Sequence, residues 1–160
     1  MTHRVLDRPM HVFRIGDPKG KFKIFSGEGS ALVEGRWHAR GQDVIYTSEH
    51  YSTALLEKLA HFSGALPAGQ HAIRVHIPAG VSYEVVTKDT LPAWCLPGNP
   101  AARTHGSAWF NERRTALLLV PSFVAREERN VLINPHHADA KRIQPGLEEP
   151  VVWDMRLFDP

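Results

Sequence analysis

Glycine and proline constrain this chain more than any other feature. Its 160 residues hold twelve of each, scattered along the whole length. Proline fixes φ and removes a backbone donor, and glycine favours turns, so long elements are excluded almost everywhere. The chain must therefore be built from many short pieces joined by many loops. At roughly 100–200 residues per domain there is room for one hydrophobic core, so a single domain over 1–160 is expected, its core spanning about 10–158. The strongest apolar run, Ala116 to Val120, is far short of the ~20 residues that a membrane-spanning helix needs.

Periodicity places the pieces. Met10 to Arg14 alternates weakly and reads as a strand, and Gly16 to Gly29 as a loop. Val44 to Thr47 reads as a second strand, followed by a helix capped by Ser48 or Ser52 and running to about Phe62. The apolar stripe of that helix would be Tyr51, Leu55, Leu59 and Phe62, with Gly64 and Pro67 ending it. From Ala72 to Ile77 the alternation is clean: Ile73, Val75 and Ile77 on one face, Arg74 and His76 on the other. Further strands are expected at Ser82–Val86, Ala116–Val120, Asn130–Asn134 and Val151–Phe158, and a weaker helix at Ala101–Arg114, with Trp109 and Phe110 in the core. Pro92 to Pro100 reads as an irregular link. Strands outnumber helices without regular alternation, which predicts an α+β fold rather than a doubly wound parallel sheet.

Charge and cysteine usage exclude several functions. Nineteen Lys and Arg stand against seventeen Asp and Glu, mixed along the chain. The basic pairs Arg113-Arg114 and Lys141-Arg142 are isolated, which does not suit direct binding to nucleic acid. One cysteine, Cys95, permits no internal disulfide. The first residues lack the apolar segment of a signal peptide, so a cytoplasmic location is expected, with no membrane association. The histidine groupings His136-His137 and His50 with His61 match no zinc spacing, so no metal is expected. Gly27-Glu28-Gly29 lacks the third glycine of a dinucleotide fingerprint.

One constellation is more informative. Gly35-Arg36-Trp37-His38 precedes Tyr46 on a strand and Glu57 on the following helix. Glu57 lies near the edge of the apolar stripe, where a carboxylate is costly unless paired or functional. From periodicity alone, a surface i,i+4 pair with His61 accounts for it equally well.

These segments resemble the RES domain family when taken together and in order. The matching stretches are Phe13-Arg14, Gly35 to His38, Val44 to Ser48, Ala54 to Glu57 with His61, Gly106 to Trp109, Leu119 to Ser122, and Asn130 to Pro135. The family is named for an Arg, a Glu and a Ser, which here would be Arg36, Glu57 and Ser122. It is found as the toxin of bacterial type II toxin–antitoxin pairs. The resemblance implies a fold like that of ADP-ribosyltransferase toxins, with mixed and antiparallel sheets, short helices and a cleft that takes NAD. It implies cleavage of the nicotinamide–ribose bond by hydrolysis or phosphorolysis, or alternatively transfer of ADP-ribose to a protein target. NAD would be substrate rather than cofactor, with inorganic phosphate as a candidate co-substrate. The implied partner is an Xre-type antitoxin with a helix-turn-helix, which would supply any DNA contact.

The chemistry suits the residues. Nicotinamide leaves as a neutral pyridine, so the two carboxylates of an ordinary glycosidase can reduce to one. Glu57 would hold the ribose and face its developing positive charge. Arg36 would grip the pyrophosphate with its fork of donors, and Arg14 would be a second clamp. Tyr46 would lie against the nicotinamide ring or bond its ribose. Ser122 and Asn130 would orient the substrate through neutral hydrogen bonds, and His61 could orient Glu57.

Overall fold

The computed structural model describes residues 4–159, so the first three residues and the last of the expected domain lie outside it. In chain order the elements are β1 (Arg4–Val5), β2 (Met10–Gly16), α1 (Glu28–Leu32), β3 (Ile45–Ser48), α2 (Tyr51–His61), β4 (His71–Ile77), β5 (Ser82–Val85), α3 (Pro100–Glu112), β6 (Leu117–Pro121), β7 (Arg129–Ile133) and β8 (Gln144–Pro150). The eight strands form one mixed sheet in the order β1-β5-β6-β7-β3-β2-β4-β8. The fold is α+β with short helices, as the element count predicts.

Both faces of the sheet are covered in its middle. Every residue of β6 is buried, which is why that segment reads as a continuous apolar run. Leu117 and Leu119 join Val12, Ile45, Val75, Val131 and Ile133 on one side. Leu118 and Val120 join Leu132, Trp37, Trp94 and Trp109 on the other. Among the described residues β5 and β6 are the one parallel pair. A parallel pair needs a long crossover, and the stretch holding α3 supplies it. The buried Trp109 indole donates to Thr115 (2.9 Å), which fastens α3 to the start of β6.

The sheet is weakest where β2 meets β3. Those strands pair at Phe13↔Ser48 alone, whereas β2 runs against β4 from Met10↔Ile77 to Gly16↔His71. Beyond Phe13 the ladder opens, and α2 packs Ala54 beside Ile15 and Ala72 over the opening.

Several expectations need correction. The last strand is β8, not Val151–Phe158, which is irregular and ends in a 3-10 turn at Met155–Leu157. β8 carries Pro145, Gly146 and Pro150 and is exposed throughout. It has no apolar alternation to read, and its backbone pairing to β4 alone makes it a strand. The loop from Gly16 to Gly29 ends in α1, and the Pro92–Pro100 link contains a 3-10 turn at Pro92–Cys95 that buries Trp94. Neither serine caps α2: its N-cap is His50, without a side-chain bond, and Ser52 is inside the helix. Nor is the predicted stripe the buried face. Tyr51 is exposed and Leu55, Leu59 and Phe62 are half-buried, whereas Thr53 and Ala54 are buried. Small residues allow α2 to lie close over the opened ladder.

Candidate active site

The opening between β2 and β3 is a cleft of about 220 Å³, lined by residues of β2, β3, α2 and β7, including Phe13, Tyr46, Ser48, Glu57 and Asn130. Its floor carries the one carboxylate among those lining residues, that of Glu57. The expected alternative, a pair with His61, is not formed. Glu57 Oε1 instead accepts from Ser122 Oγ (2.8 Å) and Asn130 Nδ2 (2.7 Å). Both donors are oriented in turn: Ser122 Oγ accepts from the Ala125 N–H (3.2 Å), and Asn130 Oδ1 accepts from Ser48 Oγ (2.8 Å). The hydroxyl of Ser48 thus donates to Asn130 rather than facing α2, whose N-cap position is His50. Among the described residues nothing donates to Glu57 Oε2. A half-buried carboxylate is therefore fixed by one oxygen and free at the other.

Ser122, expected to orient a substrate, is fully buried, and its hydroxyl donates to Glu57. His61 lines the outer part of the cleft and is exposed, with Phe62 beside it at 5.9 Å.

Tyr46 is tied through its tip. Its hydroxyl accepts from the Trp37 N–H (3.3 Å) and lies 2.6 Å from His38 Nδ1. His38 Nε2 faces two carbonyls, Ser30 (2.7 Å) and Val33 (2.9 Å). Carbonyls only accept, so Nε2 carries the proton and Nδ1 accepts from the tyrosine. The single proton of the hydroxyl is therefore committed to His38, so a hydrogen bond between Tyr46 and a ribose would have the ribose hydroxyl as donor. Burial holds the phenol well above its ordinary pKa, so it stays neutral. From sequence His38 is named only within the Gly35-Arg36-Trp37-His38 motif, with no role of its own. Gly35 leaves room for the His38 ring: a Cβ there would lie 2.6 Å from it.

Arg14 is likewise engaged by protein. It donates to the carbonyls of Ile24, Tyr46 (Nη1, 2.8 Å) and Ser26 (Nη2, 3.5 Å). The bond to Tyr46 bridges the strands where their ladder has opened, so the expected second clamp is first a tie across the cleft. Burial pulls its pKa down to about 10, which leaves it charged at neutral pH.

Arg36 is placed differently. It donates to Asn99 Oδ1 and stacks on Phe123, its guanidinium carbon 4.0 Å from the ring centroid. Burial lowers its pKa while the charge of Glu57 opposes that shift. The loop carrying Arg36 is pressed onto α3: a Cβ on Gly106 would lie 1.8 Å from the Trp37 carbonyl oxygen, and Arg103 Nε donates to the Gly35 carbonyl (3.0 Å). Arg36 is not among the residues that line the cleft, although its charge and that of Glu57 act on each other and on Tyr46; Ser122 and Asn130 both hold Glu57. Among the described residues no three His, Cys, Asp or Glu side chains converge as metal ligands, and no helix is long and apolar enough to cross a membrane.

The RES domain family matches residues 11–154. A Sphingobium protein named "Prs ADP-ribosylating toxin" is 39% identical over 138 residues, covering 83% of this chain and 86% of the relative. A protein of Photorhabdus laumondii named "Toxin Res" is 30% identical over 153 residues, covering 89% and 97%. A chain of the M. tuberculosis MbcT–MbcA toxin–antitoxin complex superposes with a TM-score of 0.72 over 92% of this chain and 86% of its own, at 13% identity.

Proposed function

Because this chain belongs to the RES domain family, we propose that it is the toxin of a toxin–antitoxin pair and that it cleaves the nicotinamide–ribose bond of NAD. The observation that carries this reading is the state of Glu57: one oxygen held by Ser122 and Asn130, the other free in a small cleft. Such a carboxylate is pre-oriented, so it can stabilise positive charge on a ribose without reorganising.

In this mechanism nicotinamide lies against Tyr46 and the ribose hydroxyls lie at Glu57 Oε2. The C1′–N bond breaks with its electron pair retained by the pyridine nitrogen. The oxocarbenium-like ribose faces Glu57, and water or inorganic phosphate attacks C1′ and releases its proton to solvent. Arg36 holds the pyrophosphate. NAD is consumed as substrate, and no metal or resident cofactor takes part.

The test is incubation of the purified protein with NAD, with and without phosphate. Release of nicotinamide with free ADP-ribose indicates water as acceptor, and ADP-ribose 1″-phosphate indicates phosphate. Glu57→Gln should bind NAD but turn over about a hundredfold more slowly. A Gln variant of near-normal rate overturns the assignment. The name of the Sphingobium relative favours a second reading, transfer of ADP-ribose to a protein target. Label from adenylate-labelled NAD retained on a protein distinguishes it.

Unchecked loss of NAD would arrest a cell, so the reading includes an antitoxin. We place the protein in the cytoplasm beside an Xre-type partner whose helix-turn-helix contacts the operator. Expression alone should arrest growth after intracellular NAD falls, and co-expression of the partner should restore it. Arrest with NAD unchanged moves the mechanism to target modification.

A further inference from the structure

Two arginines share one aromatic ring on the turn that follows Ser122, outside the residues that line the cleft. The guanidinium carbon of Arg36 is 4.0 Å from the Phe123 centroid and 5.9 Å from that of Trp94. That of Arg126 is 4.4 Å from Phe123 and 5.6 Å from Trp94. The rings meet edge to face at 6.1 Å. Among the described residues neither cation has an ion-pair partner. Arg36 donates to the neutral Asn99 side chain, and Arg126 Nε donates to the Phe123 carbonyl (3.4 Å). Cation–π contacts are weak at exposed sites, and the two positive charges oppose each other. An anion lying across both would relieve that opposition.

The position of the two arginines says which one. Ser122, Phe123 and Arg126 belong to the turn between β6 and β7, closed by Ser122 N–H to the Glu128 carbonyl (3.0 Å) and Glu128 N–H to the Ala125 carbonyl (2.8 Å). The residue that fixes Glu57 is therefore the chain neighbour of the ring that carries both arginines. The cleft, at about 220 Å³, is smaller than the ~300–1,000 Å³ of sites that enclose drug-sized ligands. At that size it suits the nicotinamide and its ribose rather than a whole dinucleotide. The diphosphate, a few bonds further along the dinucleotide, must lie outside it, and Phe123, the chain neighbour of Ser122, is 41% exposed.

We propose that Arg126 is a substrate-binding residue that forms with Arg36 a two-arginine clamp on the diphosphate, with Phe123 as its floor. This rests on the reading of NAD as substrate. One guanidinium serves each phosphate, so the clamp distinguishes a dinucleotide or nucleoside diphosphate from a monophosphate. Arg126 is exposed, so its substitution leaves the fold intact.

Arg126→Ala should raise KM for NAD about tenfold with kcat within about twofold. Arg126→Glu should raise it further, and Arg126→Lys should recover part of the loss. The parent should bind ADP more tightly than AMP by calorimetry, and Arg126→Ala should erase most of that difference. An unchanged KM, a fall confined to kcat, or an ADP-to-AMP ratio that survives the substitution overturns the clamp while leaving the proposed activity standing. A parent that binds ADP in an Arg126-dependent way yet leaves NAD intact supports the clamp and removes the enzymatic reading.

Discussion

Glu57 is asymmetric: Oε1 takes two neutral donors and Oε2 takes none. If Ser122 acts through Glu57, Ser122→Ala should lower kcat about tenfold or more with little change in KM. It should add little to a Glu57→Gln background, because residues acting as a unit are non-additive. Ser122→Thr, which keeps the hydroxyl, should restore part of the rate. Steady-state kinetics of the four variants decide it, and a full additive loss in the double variant contradicts the coupling. The position of Glu57 beside an apolar stripe was visible from helical spacing. Its partners were not, since Ser122 and Asn130 are 65 and 73 residues away and only the sheet brings them together. The same holds for Tyr46, whose hydroxyl is claimed by His38 through a turn that periodicity does not describe.

Elements with a strong apolar pattern were legible, and those held by backbone alone were not. β6 announced itself by five consecutive apolar residues and β4 by strict alternation, and both are found within one residue of their expected bounds. β8, with two prolines and two glutamates, is a strand because β4 offers it a ladder. Helix α3 shows what composition conceals. Gly106 weakens a helix interior by about 1 kcal/mol relative to Ala, yet here the missing Cβ is what admits the Trp37 carbonyl. Gly106→Ala should therefore destabilise the protein, by about 2 kcal/mol in urea unfolding, despite the better helix propensity of alanine. It should also raise KM for NAD, because the loop that moves carries Arg36. A stabilised variant with unchanged KM would show that α3 can back away freely.

At the scale of the whole molecule, one buried ion pair couples the crossover to the sheet. Glu84 on β5 is 7% exposed and accepts from Arg114 Nε (2.9 Å) and Nη2 (3.1 Å), just past the end of α3. His105 stands 3.7 Å away, a neighbouring charge when protonated rather than a hydrogen bond. Burial alone would raise the Glu84 carboxyl, but Arg114 and His105 bring it down to about 2. The folded value lies below the unfolded one of about 4.3. The stabilisation is therefore complete above that value and is lost as pH falls toward about 2. It amounts to at most about 3 kcal/mol. Glu84→Gln should lower Tm at neutral pH and flatten the loss of stability between about pH 5 and 2. An unchanged acid-unfolding curve would place the pair outside the stability of the fold. A different consequence follows from the lone Phe13↔Ser48 pairing. The strands on either side of it are two plates, and the cleft is the seam between them rather than a pit in one. Its width is gauged by the reach of one side chain, Arg14 to the Tyr46 carbonyl, not by the fixed spacing of a ladder. A molecule lying in that seam touches both plates at once and works as a splint.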